Sequence, residues 1–210
     1  MYTSKKIQGI VDSWYKIAKE ENDFTKTLRL CVLDMEFLPN IPDECEDLDI
    51  GINLISHIHS LPKNLRHLNL MFNRVSSLPP LPEGLISLDI YANKFNEIPT
   101  LPSSLKSLKL GANPIEKIPL LPSGLTLLHA YGCGLTDIHD LTLPVTLKDI
   151  NLSTNSLTAI PCLDELNDLE VLDISENKLV SMPSIPKNLK FLRKYDNPFT
   201  DAVNRLHMLR

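Results

Sequence analysis

The sequence is short of several things, and each shortage excludes a class of protein. Four cysteines in 210 residues, Cys31, Cys45, Cys133 and Cys162, have no close pairing and fall at different heights of the internal repeat described below, so no disulfide framework is expected. No apolar run approaches the ~18 residues of a membrane span. The opening "MYTSKKIQGIVDSWYK" lacks the continuous apolar core of a cleavable signal peptide. Excess positive charge is missing too: formal net charge is -5 and basic residues are scattered, which argues against a nucleic-acid partner. Seven glycines include no phosphate-cradling loop, and no nucleophile elbow or kinase motif is found. His57, His59 and His139 lack the spacing of a zinc set. These absences leave no catalytic residue, cofactor or metal site to nominate.

What is abundant is proline, 16 residues at regular places instead of in one tract. Units begin at Leu65, Leu85, Leu105 and Leu125, a period of 20. They fit L-x-x-L-x-L-x-x-N-x-L-x-x-L-P-x-L-P, as in Leu65, Leu68, Leu70, Asn73, Val75, Leu78, Pro79, Leu81 and Pro82. A degenerate unit precedes them from Cys45 and an outer one from about Thr25, and later units start at Leu147, Leu169 and Leu189. Two intervals stretch to 22, because "HDLTLPVT" and "PCLDELND" each add two residues on the return side, where insertions are tolerated.

This spacing predicts a leucine-rich-repeat solenoid. Alternate apolar residues of a short strand point inward, and parallel stacking buries them in one continuous core. The recurring Asn at 53, 73, 93, 113, 155, 177 and 197, replaced once by Cys133, is placed to satisfy backbone groups where the chain leaves the strand. Proline fixes φ and removes a donor, so the convex return limb is expected to be extended and polyproline-like. Ile7, Ile10, Val11, Trp14, Ile17 and Ala18 follow helical spacing and predict a cap of about four turns with Trp14 in the core. The expected organisation is a helical N-cap over 1-24, repeats over 25-198 and a short helical C-cap over 199-210.

The Leu-Pro seams and the two caps resemble the LPX leucine-rich repeats of bacterial effectors of the IpaH and YopM types. "VDSWYKIAKEEN" is similar to the start of the helical N-cap of those proteins, and "DNPFTDAVNRLHML" to the segment closing the IpaH-type repeat domain. The resemblance implies a non-catalytic, monomeric protein-interaction module, passed by a bacterial secretion system into the host-cell cytoplasm to bind a host protein. Its alternative implication is the substrate-recognition part of an IpaH-type ubiquitin ligase. The catalytic domain of those ligases, with its Cys-x-Asp motif, is not expected in this chain. "CLD" at Cys162 to Asp164 has that form, yet it falls in a return segment beside carboxylates that oppose thiolate formation.

Repeats present their outward strand residues as a ladder. The position between the strand leucines gives Asn69, Asp89, Lys109, His129 and Asn151, and two residues later come Met71, Tyr91 and Tyr131, with Phe72 adjacent. Large apolar groups facing solvent, rimmed by Asp89, Lys109 and His129, have the composition of a protein-binding hot spot. Asn69, Met71, Phe72, Asp89, Tyr91, Lys109, His129, Tyr131 and Asn151 are therefore the candidate protein-binding residues. Replacing Tyr91 and Tyr131 by Ala is expected to weaken binding and leave melting nearly unchanged.

Overall fold

The computed structural model describes residues 3-200. The chain opens with helix α1, Ser4–Glu21, whose N-cap Thr3 accepts a hydrogen bond from the Lys6 amide and which stops at Asn22 in a left-handed conformation. Eighteen residues make about five turns, one more than the periodicity suggested. Ile7, Val11 and Ala18 are buried, and Ile10 and Trp14 pack at the margin of the core. Ile17 is a correction: at 51% exposed it lies off the apolar stripe, which the other residues already fill. Trp14 is half-buried, with its indole N–H donating to the Lys26 carbonyl at 3.2 Å, an edge position that suits its one polar atom.

Nine strands follow: β1 Leu28–Arg29, β2 Asp47–Asp49, β3 His67–Asn69, β4 Ser87–Asp89, β5 Ser107–Lys109, β6 Leu127–His129, β7 Asp149–Asn151, β8 Val171–Asp173 and β9 Phe191–Arg193. They form one parallel sheet in chain order, with Leu28, Leu48, Leu68, Leu88, Leu108, Leu128, Ile150, Leu172 and Leu192 in successive register. The degenerate first units thus join the same stack. In β2 to β7 the central residue is buried and both flanking residues are less so, which places two outward side chains on each strand. The return limbs run without helix among the described residues, as proline dictates. This is a leucine-rich-repeat solenoid with a single continuous core from Ile7 to Leu179. The expected C-cap helix falls almost wholly beyond residue 200, outside the described residues.

The asparagines lock the stack. Asn93 donates to the carbonyls of Leu70, Ile90 and Tyr91 at 2.9, 3.2 and 3.2 Å, and its Oδ1 accepts the Val75 amide at 3.0 Å. Each amide therefore ties its own turn to the preceding unit. Among the described residues no buried side-chain nitrogen or oxygen lacks a partner. Cys133 breaks the series, since its thiol has no carbonyl oxygen to offer. Ile115, whose amide would bond the missing Oδ1, turns instead onto the Asn113 carbonyl at 2.8 Å. Burial pushes the Cys133 thiol up to about 11, so it stays protonated and donates weakly to the Leu110 and Tyr131 carbonyls at 3.6 and 3.7 Å.

Candidate protein-binding face

Three outward columns run across the sheet. The middle column splits by chemistry. Where it holds Asp or Asn, the side chain accepts the amide two residues on: Asp49 from Gly51, Asn69 from Met71, Asp89 from Tyr91 and Asn151 from Ser153, at 3.0 to 3.1 Å. Asn69 also donates to Asp49 at 3.1 Å. Such Asx-type bonds steady the strand exit. Lys109 carries no acceptor and pairs with Asp89 of the previous strand at 3.3 Å, while His129 meets Asp149 of the next strand at 3.2 Å. Asn69, Asp89, Lys109, His129 and Asn151 therefore brace the face as well as lining it.

The third column carries the large groups, and glycine decides how they lie. A Cβ at Gly111 would sit 3.0 Å from two ring carbons of Tyr131, so the absence of a side chain lets that ring fold back over the β5 exit. It reaches Tyr91 two units away, with ring centres 5.2 Å apart and planes tilted by 32°. Tyr91 in turn meets Phe72 edge-on, at 5.1 Å and 88°. Met71 lies over Gly51 in the same manner, its Cγ 3.3 Å from where a Cβ would stand. Burial, a hydrogen bond to Tyr91 and the charge of Asp89 hold the Tyr131 hydroxyl above its usual range, so it remains a neutral donor. Phe72, Tyr91 and Tyr131 thus form a connected row outside the core, with Met71 beside it over Gly51. Phe72 is 49% exposed, and Met71, Tyr91 and Tyr131 are half-buried.

Two signals escaped the sequence reading. The first is the remaining outward column, Asp47, His67, Ser87, Ser107, Leu127, Asp149, Val171 and Phe191, which strand alternation alone would have found. The second is the residue before each asparagine, or before the Leu33 or Cys133 that stands in its place. Val32, Ile52, Phe72, Ala92 and Ala112 have φ between 52° and 59°, and Gly132 has 64°. Left-handed backbone penalises every side chain and β-branched or bulky ones most. Neighbouring units hold it in place: the Phe72 amide donates to the Tyr91 carbonyl at 2.9 Å, and the Asn73 amide to the Ala92 carbonyl at 3.3 Å. In the first three units these strained positions carry Val32, Ile52 and Phe72, exposed by 64%, 47% and 49%.

Comparison with known proteins agrees with this geometry. The Leucine Rich Repeat family model matches residues 168–192. The leucine-rich-repeat domain of a Shigella effector superimposes with a TM-score of 0.69 at 29% identity, covering 81% of this chain and 77% of that one. YopM from Yersinia enterocolitica WA-314 is 27% identical with a TM-score of 0.52; the match covers 80% of this chain and 46% of YopM, so the chain spans just under half of that protein. YopM from Yersinia pestis gives a TM-score of 0.74 over 95% of this chain and 73% of that one, at 21% identity, a likeness of fold alone. No curated protein sequence matches the chain. The chain therefore has a leucine-rich-repeat fold resembling the repeat domains of bacterial effectors, which supports a protein-interaction role. Among the described residues no helix is long and apolar enough to cross a membrane.

Proposed function

We propose that the protein is a non-catalytic, monomeric binding module of the LPX effector type, delivered by a bacterial secretion system into the host-cell cytoplasm, where its concave face engages a host protein. The observation that carries this reading is Phe72: a bulky aromatic kept half-exposed, in a backbone conformation that disfavours it, at the end of the Phe72–Tyr91–Tyr131 row. The turn itself does not require Phe, since Ala serves it at 92 and 112, and the ring's one aromatic contact is with Tyr91 of the same exposed row. Exposed aromatics on a rigid sheet are suited to fill a partner's pocket at low entropic cost. Asp89, Lys109 and His129, already fixed by neighbours, form the polar surround.

Affinity capture from host-cell lysate, followed by direct titration of the captured protein, tests the reading. The Tyr91→Ala and Tyr131→Ala variants are each expected to lose about 1 kcal/mol or more of binding. Unchanged affinity in both would remove the concave face from the account. Because the two rings stack on one another, each truncation is also expected to lower stability by about 1 kcal/mol, which corrects the expectation of unchanged melting.

The resemblance of the Leu-Pro repeats and of "DNPFTDAVNRLHML" to IpaH-type proteins motivates a second reading, in which the same face selects substrate for an IpaH-type ligase. That reading expects the captured host protein to become ubiquitinated in cells producing the effector, an outcome simple binding does not require.

A further inference from the structure

Away from the concave face, three successive return limbs enclose an open groove of about 800 Å³. Its origin is in the sequence. The interval from Leu125 to Leu147 carries two extra residues, and they fold into a tight turn closed by the Leu141 amide on the Ile138 carbonyl at 3.0 Å. The turn holds His139 at its tip. Asp137 accepts both the His139 amide at 2.9 Å and its Nδ1 at 2.7 Å, and Asp140 meets Nε2 at 3.0 Å. An insertion that looks silent in the repeat pattern thus builds one wall of a groove.

The floor is apolar: Ile98, Ile118, Leu121, Ile138 and Leu141 line it, and Leu120 stands on it 92% exposed. Leu120 occupies the free position of a Leu-Pro seam where the two preceding units have Pro80 and Thr100, so the repeat does not require an apolar residue there. The rim is acidic. Glu97, Glu116, Asp137 and Asp140 face Lys117 and His139, and His139 is already engaged by two of those carboxylates. Phosphate-bearing ligands are repelled by such a rim, and a wholly apolar ligand would leave its charges unused.

We infer that this groove receives a short basic segment of a partner protein, with leucine or isoleucine side chains on the floor and lysine or arginine heads on the rim. The volume lies within the ~300 to 1,000 Å³ of sites that enclose small ligands, enough for a few consecutive side chains. The site goes beyond the concave-face reading, because the two surfaces share no residue. A partner could engage both sides of the solenoid at once, and the groove would then contribute affinity through linkage.

The test uses the full chain and two fluorescein-labelled synthetic peptides, one of leucine and lysine in amphipathic order and one with glutamate for every lysine, followed by fluorescence anisotropy. The lysine peptide is expected to bind and the glutamate peptide to fail. Leu120→Asn, at a fully solvated side chain, and Glu116→Lys together should weaken the lysine peptide by about tenfold. Glu36→Lys makes the same charge change on an exposed carboxylate in the first repeat, four units from Glu116, and should alter binding by less than about twofold. Tyr91→Ala should leave it unchanged, so failure here is distinguishable from failure of the concave face. Absence of lysine-peptide binding, equal effects of Glu116→Lys and Glu36→Lys, or loss of binding in Tyr91→Ala overturns the inference.

Discussion

The first three repeats and the next three build the same turn from different residues. Val32, Ile52 and Phe72 share with Ala92, Ala112 and Gly132 a left-handed backbone, with φ from 52° to 64°, and in both groups the turn amides bond to the following unit. Sterics favour the second group, where the side chain is small or absent. The first group carries large apolar side chains that the core does not use. Identical backbone with opposite side-chain economy separates what the solenoid needs from what its surface is for. The turn is held by the stack, and the residue in it is free to serve another molecule.

The comparison breaks first if the stack does not hold the turns. Asn93→Ala removes three donated bonds and leaves the buried Val75 amide without an acceptor. A loss of about 3 kcal/mol is expected in urea unfolding, since each buried group left unpaired costs roughly 1 to 3 kcal/mol. A loss below about 1 kcal/mol would mean that the turns hold themselves.

A smaller effect of opposite sign sharpens the contrast. Ile52→Asn exchanges a β-branched residue for one that tolerates left-handed backbone, and stability is expected to rise by about 0.5 to 1 kcal/mol. The matched change Ala112→Ile should lower it by a similar amount. Comparable in size is Cys133→Asn, which restores the side-chain acceptor for which the Asn113 carbonyl now substitutes and adds amide donors to the turn, and should add about 1 kcal/mol, measured by the midpoint of chemical denaturation.

The smallest effect concerns the return-limb turn. Asp137 first, by hydrogen bond and charge, and then Asp140 raise the His139 pKa above its ordinary 6.5. A raised folded-state value adds stability that is fully present below the ordinary imidazole pKa and fades as pH climbs through the raised one. The group is fully exposed, so the effect is best seen by NMR as a titration midpoint above 6.5 that falls in Asp137→Asn.

Much of this architecture is legible in the sequence, because a period carries it. Leu68, Leu88 and Leu108 recur at one spacing and could only be inward, and the asparagines announce their turns by position. What escaped was whatever the period treats as free. The residue before each asparagine is an unspecified x in the pattern, so neither its backbone nor the strain on Ile52 and Phe72 can be read there. Tyr131 and Tyr91 lie two units apart, and their contact depends on Gly111 lacking a side chain between them. The groove grew from an insertion that the repeat tolerates. Ile17 matched the helical spacing and still faces solvent, since Ile7, Val11 and Ala18 already cover the first repeat.

The central claim is that the early turns give up stability to keep a binding surface, and Phe72→Asn measures it most directly when urea unfolding and titration of the proposed partner, once captured, are performed on the same sample. The account predicts stability within about 1 kcal/mol of the parent, relief of backbone strain offsetting the lost edge contact with Tyr91, together with affinity reduced about tenfold. A stability loss above about 1.5 kcal/mol with unchanged affinity would contradict it, because Phe72 would then be serving the fold.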